Sequence, residues 1–300
     1  MSTALDELSN ALSARVDASA SLAVAIRNDR GQHVSGVLWA PRAIVASEQS
    51  FGAGPHYEIV TLEGEATKAQ IAGRDPATNL LVLRPETALE AAPARAGIAR
   101  TGALAMALGA DAAGGRTSRI GIVNGVGPQW YSRAGGRIEQ RIALDIRLSR
   151  TEEGGPVIDA DGALLGMSTL GPPGEVLVIP YATIERIAPQ LLRDGRVPRG
   201  WLGLALQPVA VPDALREPAG SSAGMLVQSV ATDSPGARAG VIVGDILVAI
   251  DGAALRGARQ LAARLREDCI GKSVQLQLLR GGQVMALQAV VEARPPPRHE

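Results

Sequence analysis

The fold is decided first by a stretch near the C-terminus, Ser234-Pro-Gly-Ala-Arg-Ala-Gly-Val-Ile-Val-Gly-Asp-Ile-Leu-Val-Ala-Ile-Asp-Gly252. This stretch lies in a compact segment of roughly 95 residues that is rich in strand patterns, with one clear helix predicted at 258–267. A second run, Gly271-Lys-Ser-Val-Gln-Leu-Gln-Leu-Leu-Arg-Gly-Gly282, alternates with period two and predicts a late hairpin. The last third of the chain is therefore expected to be a small α+β domain.

The preceding part of the chain is dominated by short strand patterns from Ser21 to Ile179, separated by Gly, Pro and charged turns. Aromatic residues make up only 2% of the chain, so the core must be built from Val, Ile, Leu and Ala. Many short strands without intervening helices favour an all-β sandwich or a pair of barrels. Apolar residues at helical spacing predict one helix at 3–17, before the strands, and another at 181–193, after them.

Composition argues against several classes of function. The formal net charge of +0 gives no sign of binding to nucleic acid or to an anionic membrane surface. Cys269 is the only cysteine, so an intrachain disulfide is impossible. His33, His56 and His299 lack the spacing of metal ligands, and no cofactor is expected.

The N-terminal stretch 1–30 is a mixed amphipathic segment without a basic region followed by an apolar one, so it does not resemble a signal peptide. No apolar run approaches the length of a membrane span. From these observations we expect a cytoplasmic protein, or a periplasmic one if a native leader is missing from this sequence.

Three earlier segments resemble the protease domain of the HtrA/Deg family of trypsin-like serine proteases. Residues 35–50 resemble the strand pair that ends in the family's Thr-Asn-x-His-Val, and residues 73–83 resemble its Gly-x-Asp-x-x-x-Asp-Leu-Ala-Val-Leu. The third segment, Asp145-Ile-Arg-Leu-Ser-Arg-Thr-Glu-Glu-Gly-Gly-Pro-Val-Ile-Asp159, resembles Asp-Ala-x-Ile-Asn-x-Gly-Asn-Ser-Gly-Gly-Pro. Order and spacing together make the match strong, and it covers essentially residues 21–292.

The resemblance places Gln49 at the position of the family's base His, Asn79 at that of the orienting Asp, and Glu153 at that of the nucleophilic Ser. The family mechanism needs a hydroxyl to attack, an imidazole to take its proton and a carboxylate to stabilise the imidazolium. Gln49 has no titratable nitrogen, and the charge of Glu153 opposes the oxyanion. We therefore expect no cleavage of peptides by the family mechanism and no enzyme activity.

The Ser234–Gly252 stretch itself resembles the signature of a PDZ domain, and Arg199-Gly-Trp-Leu-Gly-Leu204 resembles the carboxylate-binding loop and strand of the family's PDZ domain. Such domains bind a peptide as an added strand, while N–H groups of the loop hold its terminal carboxylate. The resemblance predicts a peptide site formed by the loop, a groove floor and a helical wall, with these residues: Arg199, Trp201, Leu202, Gly203, Leu204, Ala258, Leu261 and Leu265. For Trp201, Leu261 and Leu265, packing in the core is the alternative interpretation.

The expected fold is mainly β, with a chymotrypsin-like double six-stranded β-barrel followed by a C-terminal PDZ domain. The predicted boundaries are 1–20 for an N-terminal helical segment, 21–193 for the protease-fold domain, 194–200 for a linker, 201–293 for the PDZ domain and 294–300 for a disordered tail.

The replaced triad positions and the PDZ resemblance lead to three functional hypotheses. The first is a catalytically inactive adaptor or scaffold whose PDZ domain binds protein C-termini or exposed peptide segments. The second is an HtrA-like endopeptidase or other hydrolase with non-standard catalytic residues, in which Glu152, Glu153 or a histidine does the chemistry. The third is a non-catalytic subunit of a homo-oligomer or of a hetero-assembly with an active paralogue.

Overall fold

The computed structural model describes residues 3–52, 56–91, 93–132, 134–171 and 174–295. The chain divides into two compact units, the first formed by residues up to Val197 and the second by residues from Pro198 onwards, except that residues 133–136 group with the second unit. Each unit has its own hydrophobic core.

The first unit begins with helix α1 (Ala4–Ser19), in the region where apolar spacing predicts a helix. The helix begins at a capping box, because the Thr3 hydroxyl accepts a hydrogen bond from Asp6 N while the Asp6 carboxylate accepts one from Thr3 N. Leu12 and Val16 pack against the core of the unit. Leu5, in the first turn of the helix, is 78% exposed.

Six strands then form a closed barrel in the order β1-β2-β3-β6-β5-β4. Their bounds are β1 (Ala23–Asn28), β2 (His33–Ala40), β3 (Ala43–Ser47), β4 (Tyr57–Thr61), β5 (Ala66–Asp75) and β6 (Leu80–Pro85). Successive side chains of a strand point to opposite faces. In β6, Leu81 and Leu83 therefore fill the barrel, while Leu80 and Val82 point out of it into a second core.

A second closed barrel follows, in the order β11-β14-β13-β12-β7-β8. Its elements in chain order are β7 (Leu104–Ala110) and β8 (Arg116–Gly127), a separate two-stranded pair β9 (Trp130–Tyr131) and β10 (Arg137–Ile138), and then β11 (Arg141–Leu144), β12 (Pro156–Asp159), β13 (Leu164–Leu170) and β14 (Val176–Pro180). The two barrels confirm the double six-stranded architecture expected from the sequence.

The largest core of the first unit joins both barrels to helix α2 (Tyr181–Asp194). Val45 and Val82 reach it from the first barrel, Met106 and Ile158 from the second, and Ile184 is among the residues of α2 that complete it. All five side chains are at most 1% exposed, so burial of aliphatic surface fixes the two barrels against each other.

The second unit is built around a twisted sheet in the order β16-β17-β18-β20-β21. Its elements in chain order are β15 (Gly200–Trp201), β16 (Leu204–Ala210), α3 (Asp213–Ala219), β17 (Ala223–Val230), α4 (Pro235–Arg238), β18 (Ile246–Ile250), β19 (Ala253–Ala254), α5 (Ala258–Arg264), β20 (Ser273–Arg280), β21 (Gln283–Val290) and β22 (Glu292–Ala293). Strand β15 pairs with β22, and β19 pairs with β18.

The motif at 234–252 forms α4 and β18 for identifiable reasons. The hydroxyl of Ser234 caps α4 by accepting a hydrogen bond from Ala237 N at 3.2 Å. Asp245, only 1% exposed, accepts hydrogen bonds from Ile242 N at 2.9 Å and from both Nε and Nη2 of Arg280 at 2.8 Å. This carboxylate therefore holds the turn before β18 against strand β20.

Two predicted segments differ from the structure. The helix expected at 258–267 ends at Arg264, and a 3₁₀ turn follows at Glu267–Cys269. In the predicted tail, Arg294 N donates a hydrogen bond to Arg199 O at 2.8 Å, which continues the pairing of β22 with β15. Residues 296–300 lie outside the described residues.

Replacing Ile184 by Ala should lower the unfolding free energy of the first unit by about 2–5 kcal/mol, because the truncation leaves a cavity where the two barrels meet α2. Ile98→Ala makes the same change at a position that is 80% exposed, and its effect should stay within about 0.5 kcal/mol. Urea unfolding followed by circular dichroism measures both. Equal losses for the two variants would contradict the placement of the central core.

Candidate functional site

The structure brings together the three residues that the family motifs single out. Gln49 lies in a 3₁₀ turn, Glu48–Ser50, directly after β3, while Asn79 precedes β6 and Glu153 lies in the turn before β12. Gln49 Nε2 donates to Glu153 Oε1 at 2.5 Å, and Gln49 N donates to Asn79 Oδ1 at 2.8 Å. The site therefore lies where the two barrels face each other.

Glu153 is 4% exposed, and its carboxylate is surrounded by neutral donors. Oε1 accepts hydrogen bonds from four groups: Ser47 Oγ at 3.0 Å, Gln49 Nε2 at 2.5 Å, Thr169 Oγ1 at 3.0 Å and Leu170 N at 3.0 Å. Oε2 accepts one, from Ser50 Oγ at 2.8 Å. No cationic side chain of the described residues forms a salt bridge with Glu153, so hydrogen bonds alone compensate its burial.

Asn79 fixes the turn that carries Gln49. Its backbone is left-handed, with φ of 57°, a conformation that Asn tolerates better than most residues. Its carbonyl oxygens accept from Glu48 N and Gln49 N, while its amide nitrogen donates to Ser47 Oγ at 2.9 Å and Thr169 Oγ1 at 2.8 Å. Asn79 is thus a bridge from the first barrel to β13 of the second.

The neighbouring Glu152 points the other way and does not join this cluster. Its side chain accepts a hydrogen bond from Arg119 Nε at 2.8 Å and one from Ser149 N at 2.8 Å. Burial raises the pKa of Glu152, but the hydrogen bonds from Arg119 and Ser149 and the charge of Arg119 outweigh it, so the pKa lies below the ordinary value of 4.5. Glu152 therefore ties the 149–153 turn to β8.

Close backbone packing explains the glycines after Glu153. Gly154 has φ of 91°, and a Cβ on it would lie 2.4 Å from Ser35 O. A Cβ on Gly155 would overlap Leu108 O. These positions need glycine for the turn that aims Glu153 at the other barrel.

An open cleft of about 990 Å³ reaches this cluster from the surface of the first unit. Gln49, Ser50 and Glu153 line its inner end, and the hairpin between β1 and β2 forms one wall. His33 and His56, two of the histidines available to the hydrolase hypothesis, also line the cleft, but neither bonds to Glu153 among the described residues.

In the second unit, β16 lies at the end of the sheet and has β17 as its one neighbour within the described part of the chain. A pocket of about 180 Å³ adjoins it, and its lining includes both predicted and unpredicted residues: Ala134, Gly135, Arg199, Gly200, Trp201, Leu202, Gly203, Leu204, Leu206, Leu261, Leu265 and Arg294. The N–H groups of Leu202 and Gly203 have no hydrogen-bond partner in the described ranges. They are available to an added acceptor.

Individual residues of this pocket differ from their predicted roles. Leu202 is 2% exposed and belongs to the core of the unit, so little of its side chain can form a groove floor. Leu261 and Leu265 line the pocket while also packing against that core, and contact of either residue with a ligand stays a prediction. The side chain of Ala258 lies outside the described residues.

The structure explains why position 203 is a glycine. Its φ is 78°, and a Cβ there would overlap the side chain of Ser234. The ring of Trp201 lies 3.3 Å from the same point. Only glycine lets the loop pass this closely over the cap of α4.

Sequence analysis missed Leu206 and Arg294 in this pocket and Ser50 and Thr169 in the first unit. Leu206 could have been found from period two, because it follows Leu204 on the same face of β16. The other three are brought in by contacts between distant segments.

The described residues contain no group of three His, Cys, Asp or Glu side chains placed to hold a metal ion. Within the same part of the chain, no helix is long and apolar enough to cross a membrane.

Comparison with known proteins is consistent with this architecture. Residues 34–167 match the family of trypsin-like peptidase domains, and residues 200–291 match the family of PDZ domains. A probable periplasmic serine endoprotease DegP-like from Brucella suis biovar 1 (strain 1330) is 27% identical over 267 residues, covering 84% of this chain and 50% of the relative. The serine endoprotease DegS of Escherichia coli (strain K12) is 25% identical over 274 residues, covering 87% of this chain and 77% of DegS.

Solved structures of HtrA-type proteases have a similar fold. The HtrA-type protease AlgW with a tripeptide superposes with a TM-score of 0.68 at 26% identity, covering 95% of this chain and 98% of AlgW. The serine endoprotease from Yersinia pestis has a TM-score of 0.71 at 24% identity, covering 94% and 97% of the two chains, which supports the fold. The chain therefore contains a trypsin-like peptidase domain followed by one PDZ domain, and it is similar in sequence and structure to HtrA proteases. It spans about half the length of the DegP-like relatives that it matches.

Two expectations are corrected by these relatives. The expectation that the chain is not an enzyme rests on the chemistry of Gln49, Asn79 and Glu153 alone, and it is contradicted because the HtrA relatives are named serine endoproteases. The expected cytoplasmic location is contradicted as well, because the DegP-like relatives are named periplasmic.

Replacing Glu152 by Gln removes the ion pair with Arg119 and should lower the unfolding free energy of the first unit at pH 7 by about 1 kcal/mol. The loss should be no larger, because Arg119 is exposed and solvent weakens the ion pair. The pKa of Glu152 is lowered in the folded state, so its contribution is complete above the ordinary value of 4.5 and is lost as the pH falls through the folded-state value. The difference between the two proteins should therefore shrink in acid.

Urea unfolding at a series of pH values between 3 and 8 would measure this difference. The exposed Glu63 provides the matched control, since Glu63→Gln should change stability little at any pH. A Glu152→Gln loss that stays constant down to pH 3 would show that the ion pair with Arg119 is not its source.

Proposed function

We propose that this HtrA-like protein binds the C-terminal ends of polypeptides through its PDZ domain. The observation that carries the proposal is the free edge of β16 beside a pocket closed by the Arg199–Leu204 loop. An extended peptide can pair with β16 as an additional strand, which satisfies backbone groups of both. Its terminal carboxylate would then reach the N–H groups of Leu202 and Gly203.

The charge and the apolar lining of the pocket favour the C-terminal end of a peptide. Arg199 and Arg294 line it and give it positive charge, which favours a carboxylate. Leu204, Leu206 and Leu261 make the remainder of the lining apolar. A volume of about 180 Å³ suits one apolar side chain of moderate size at the terminal position. That AlgW has been solved with a tripeptide supports a peptide ligand for this fold.

Peptides that end in a free Val, Leu or Ile should bind, and amidation of the C-terminus should weaken binding at least about tenfold by removing the charge-assisted hydrogen bonds. Leu261→Lys should have an effect of similar size, because it places a charge on the apolar lining. Val284→Lys makes a comparable change on the exposed hairpin strand β21 and should leave the affinity unchanged. Fluorescence anisotropy with labelled decapeptides measures all three.

Binding that is insensitive to amidation would contradict recognition of the terminus. Binding that Val284→Lys weakens as much as Leu261→Lys would place the peptide elsewhere on the domain. Assembly with further copies of the chain or with a related protein stays a prediction.

A second candidate function is hydrolysis of peptide bonds in the first unit, by residues other than a Ser-His-Asp set. The names of the relatives favour it. So does the position of the Glu153 carboxylate at the inner end of the 990 Å³ cleft, where it can accept a proton from a hydroxyl or a water molecule. Gln49 and Asn79 would hold the turn and the carboxylate rather than exchange protons.

The full chain should then cleave an unfolded protein substrate, and Glu153→Gln should reduce the rate at least about 100-fold, since general base catalysis contributes on that scale. Glu58→Gln is the control, because Glu58 lies on β4 in a half-buried ion pair with Arg27 and does not line the cleft. Release of labelled peptides from an unfolded, dye-saturated protein between pH 5 and 9 measures the rate. An unchanged rate in Glu153→Gln would exclude the carboxylate as the base.

A further inference from the structure

Two serine hydroxyls bond to the carboxylate of Glu153, and their surroundings differ. Ser47 is 1% exposed, and its Oγ also accepts a hydrogen bond from Asn79 Nδ2. Ser50 is half-buried and lines the cleft, and its Oγ donates to Glu153 Oε2 at 2.8 Å. Of the two, Ser50 alone can meet a molecule that enters the cleft.

The two oxygens of the carboxylate are also unequal. Oε1 is occupied by four donors, whereas Oε2 has the Ser50 hydroxyl as its one hydrogen-bond donor among the described residues. Oε2 therefore keeps a lone pair that can take a proton. Gln49, Thr169 and Leu170 N hold the opposite oxygen and so orient Oε2 towards Ser50.

We propose that Ser50 is the nucleophile of this unit and Glu153 its general base. The proposal deepens the second candidate function above and rests on it. The arrangement contains the parts that an activated hydroxyl needs: a nucleophile within hydrogen-bond distance of a base, and a base that further groups orient. It uses neither the position nor the residue types of the family's triad.

The chemistry balances with a polypeptide as the substrate. The Ser50 hydroxyl proton passes to Glu153 Oε2 as Oγ forms a bond to the carbonyl carbon of the substrate, and the carbonyl π electrons move to its oxygen. Collapse of the tetrahedral species breaks the C–N bond, and the proton on Glu153 passes to the departing amine. Water then attacks the acyl group on Ser50, gives a proton to Glu153 and releases the acid, and the proton returns to Oγ.

Gln49 and Thr169 act as positioning residues in this scheme, because they bond to Oε1 and to each other but not to Ser50. Thr169→Val removes one donor from Oε1 with little change in volume. It should lower the maximal rate of reaction at Ser50 about tenfold while leaving the reagent concentration for half-maximal rate unchanged. A structural effect on the cleft would change that concentration as well.

A fluorophosphonate reagent tests the proposal without a known substrate, since an activated serine oxygen displaces fluoride from phosphorus. We would treat the full folded chain with the reagent and locate the adduct by mass spectrometry of its peptides. The expected site is Ser50, and the labelling rate should fall at least 100-fold in Ser50→Ala and in Glu153→Gln. Ser118→Ala, at an exposed serine of β8 outside the cleft, should label like the parent.

Circular dichroism of each variant establishes that it is folded, and Ser50→Cys provides a second test because a thiol at this position should react with iodoacetamide faster than Cys269. Absence of an adduct on Ser50 in the folded parent overturns the proposal. Hydrolysis that persists in Ser50→Ala but fails in Glu153→Gln overturns Ser50 as nucleophile and keeps the hydrolase. Hydrolysis absent from the parent, together with no adduct, overturns both, while peptide binding by the PDZ domain is unaffected by either result.

Discussion

The burial of one carboxylate without a cation organises the first unit. A charged group removed from water costs several kcal/mol unless hydrogen bonds replace its hydration. Glu153 is 4% exposed and obtains those bonds from both barrels, from the end of β3 and its following turn on one side and from β13 on the other. Neither barrel alone could satisfy this group, so the two must meet in one specific arrangement.

That arrangement depends on ordinary aliphatic packing behind the polar cluster. β6 is buried on both faces, with Leu81 filling the first barrel and Val82 joining the core shared with the second barrel and α2. Close packing of this core fixes distances to fractions of an ångström, which hydrogen bonds to a single carboxylate require. The polar site is thus precise because the apolar core beneath it is rigid.

Sequence patterns could predict the architecture and part of each site. The motifs around Gln49, Asn79 and Glu153 single out three residues that meet in space, because the strand order of the two barrels fixes where those turns lie. Ser50 gave no signal, since its partner Glu153 lies 103 positions away and its role depends on which way a 3₁₀ turn faces. Sequence patterns put Arg294 in a disordered tail. They cannot indicate the pairing of β22 with β15, because it joins the two ends of the domain and leaves no local pattern.

The expectation of an inactive protein rests on the residue types at three positions and uses neither the relatives nor the geometry of the site. It assumed that a lost Ser-His-Asp set leaves only a repelling charge at Glu153. In the structure, the two oxygens of that carboxylate differ in their hydrogen-bond partners: Oε1 accepts four hydrogen bonds and Oε2 accepts one, from Ser50. Oε1 accepts hydrogen bonds whether the group is ionised or protonated, so its four donors need not move when a proton arrives on Oε2. The network therefore orients the carboxylate through one oxygen and leaves the other facing Ser50.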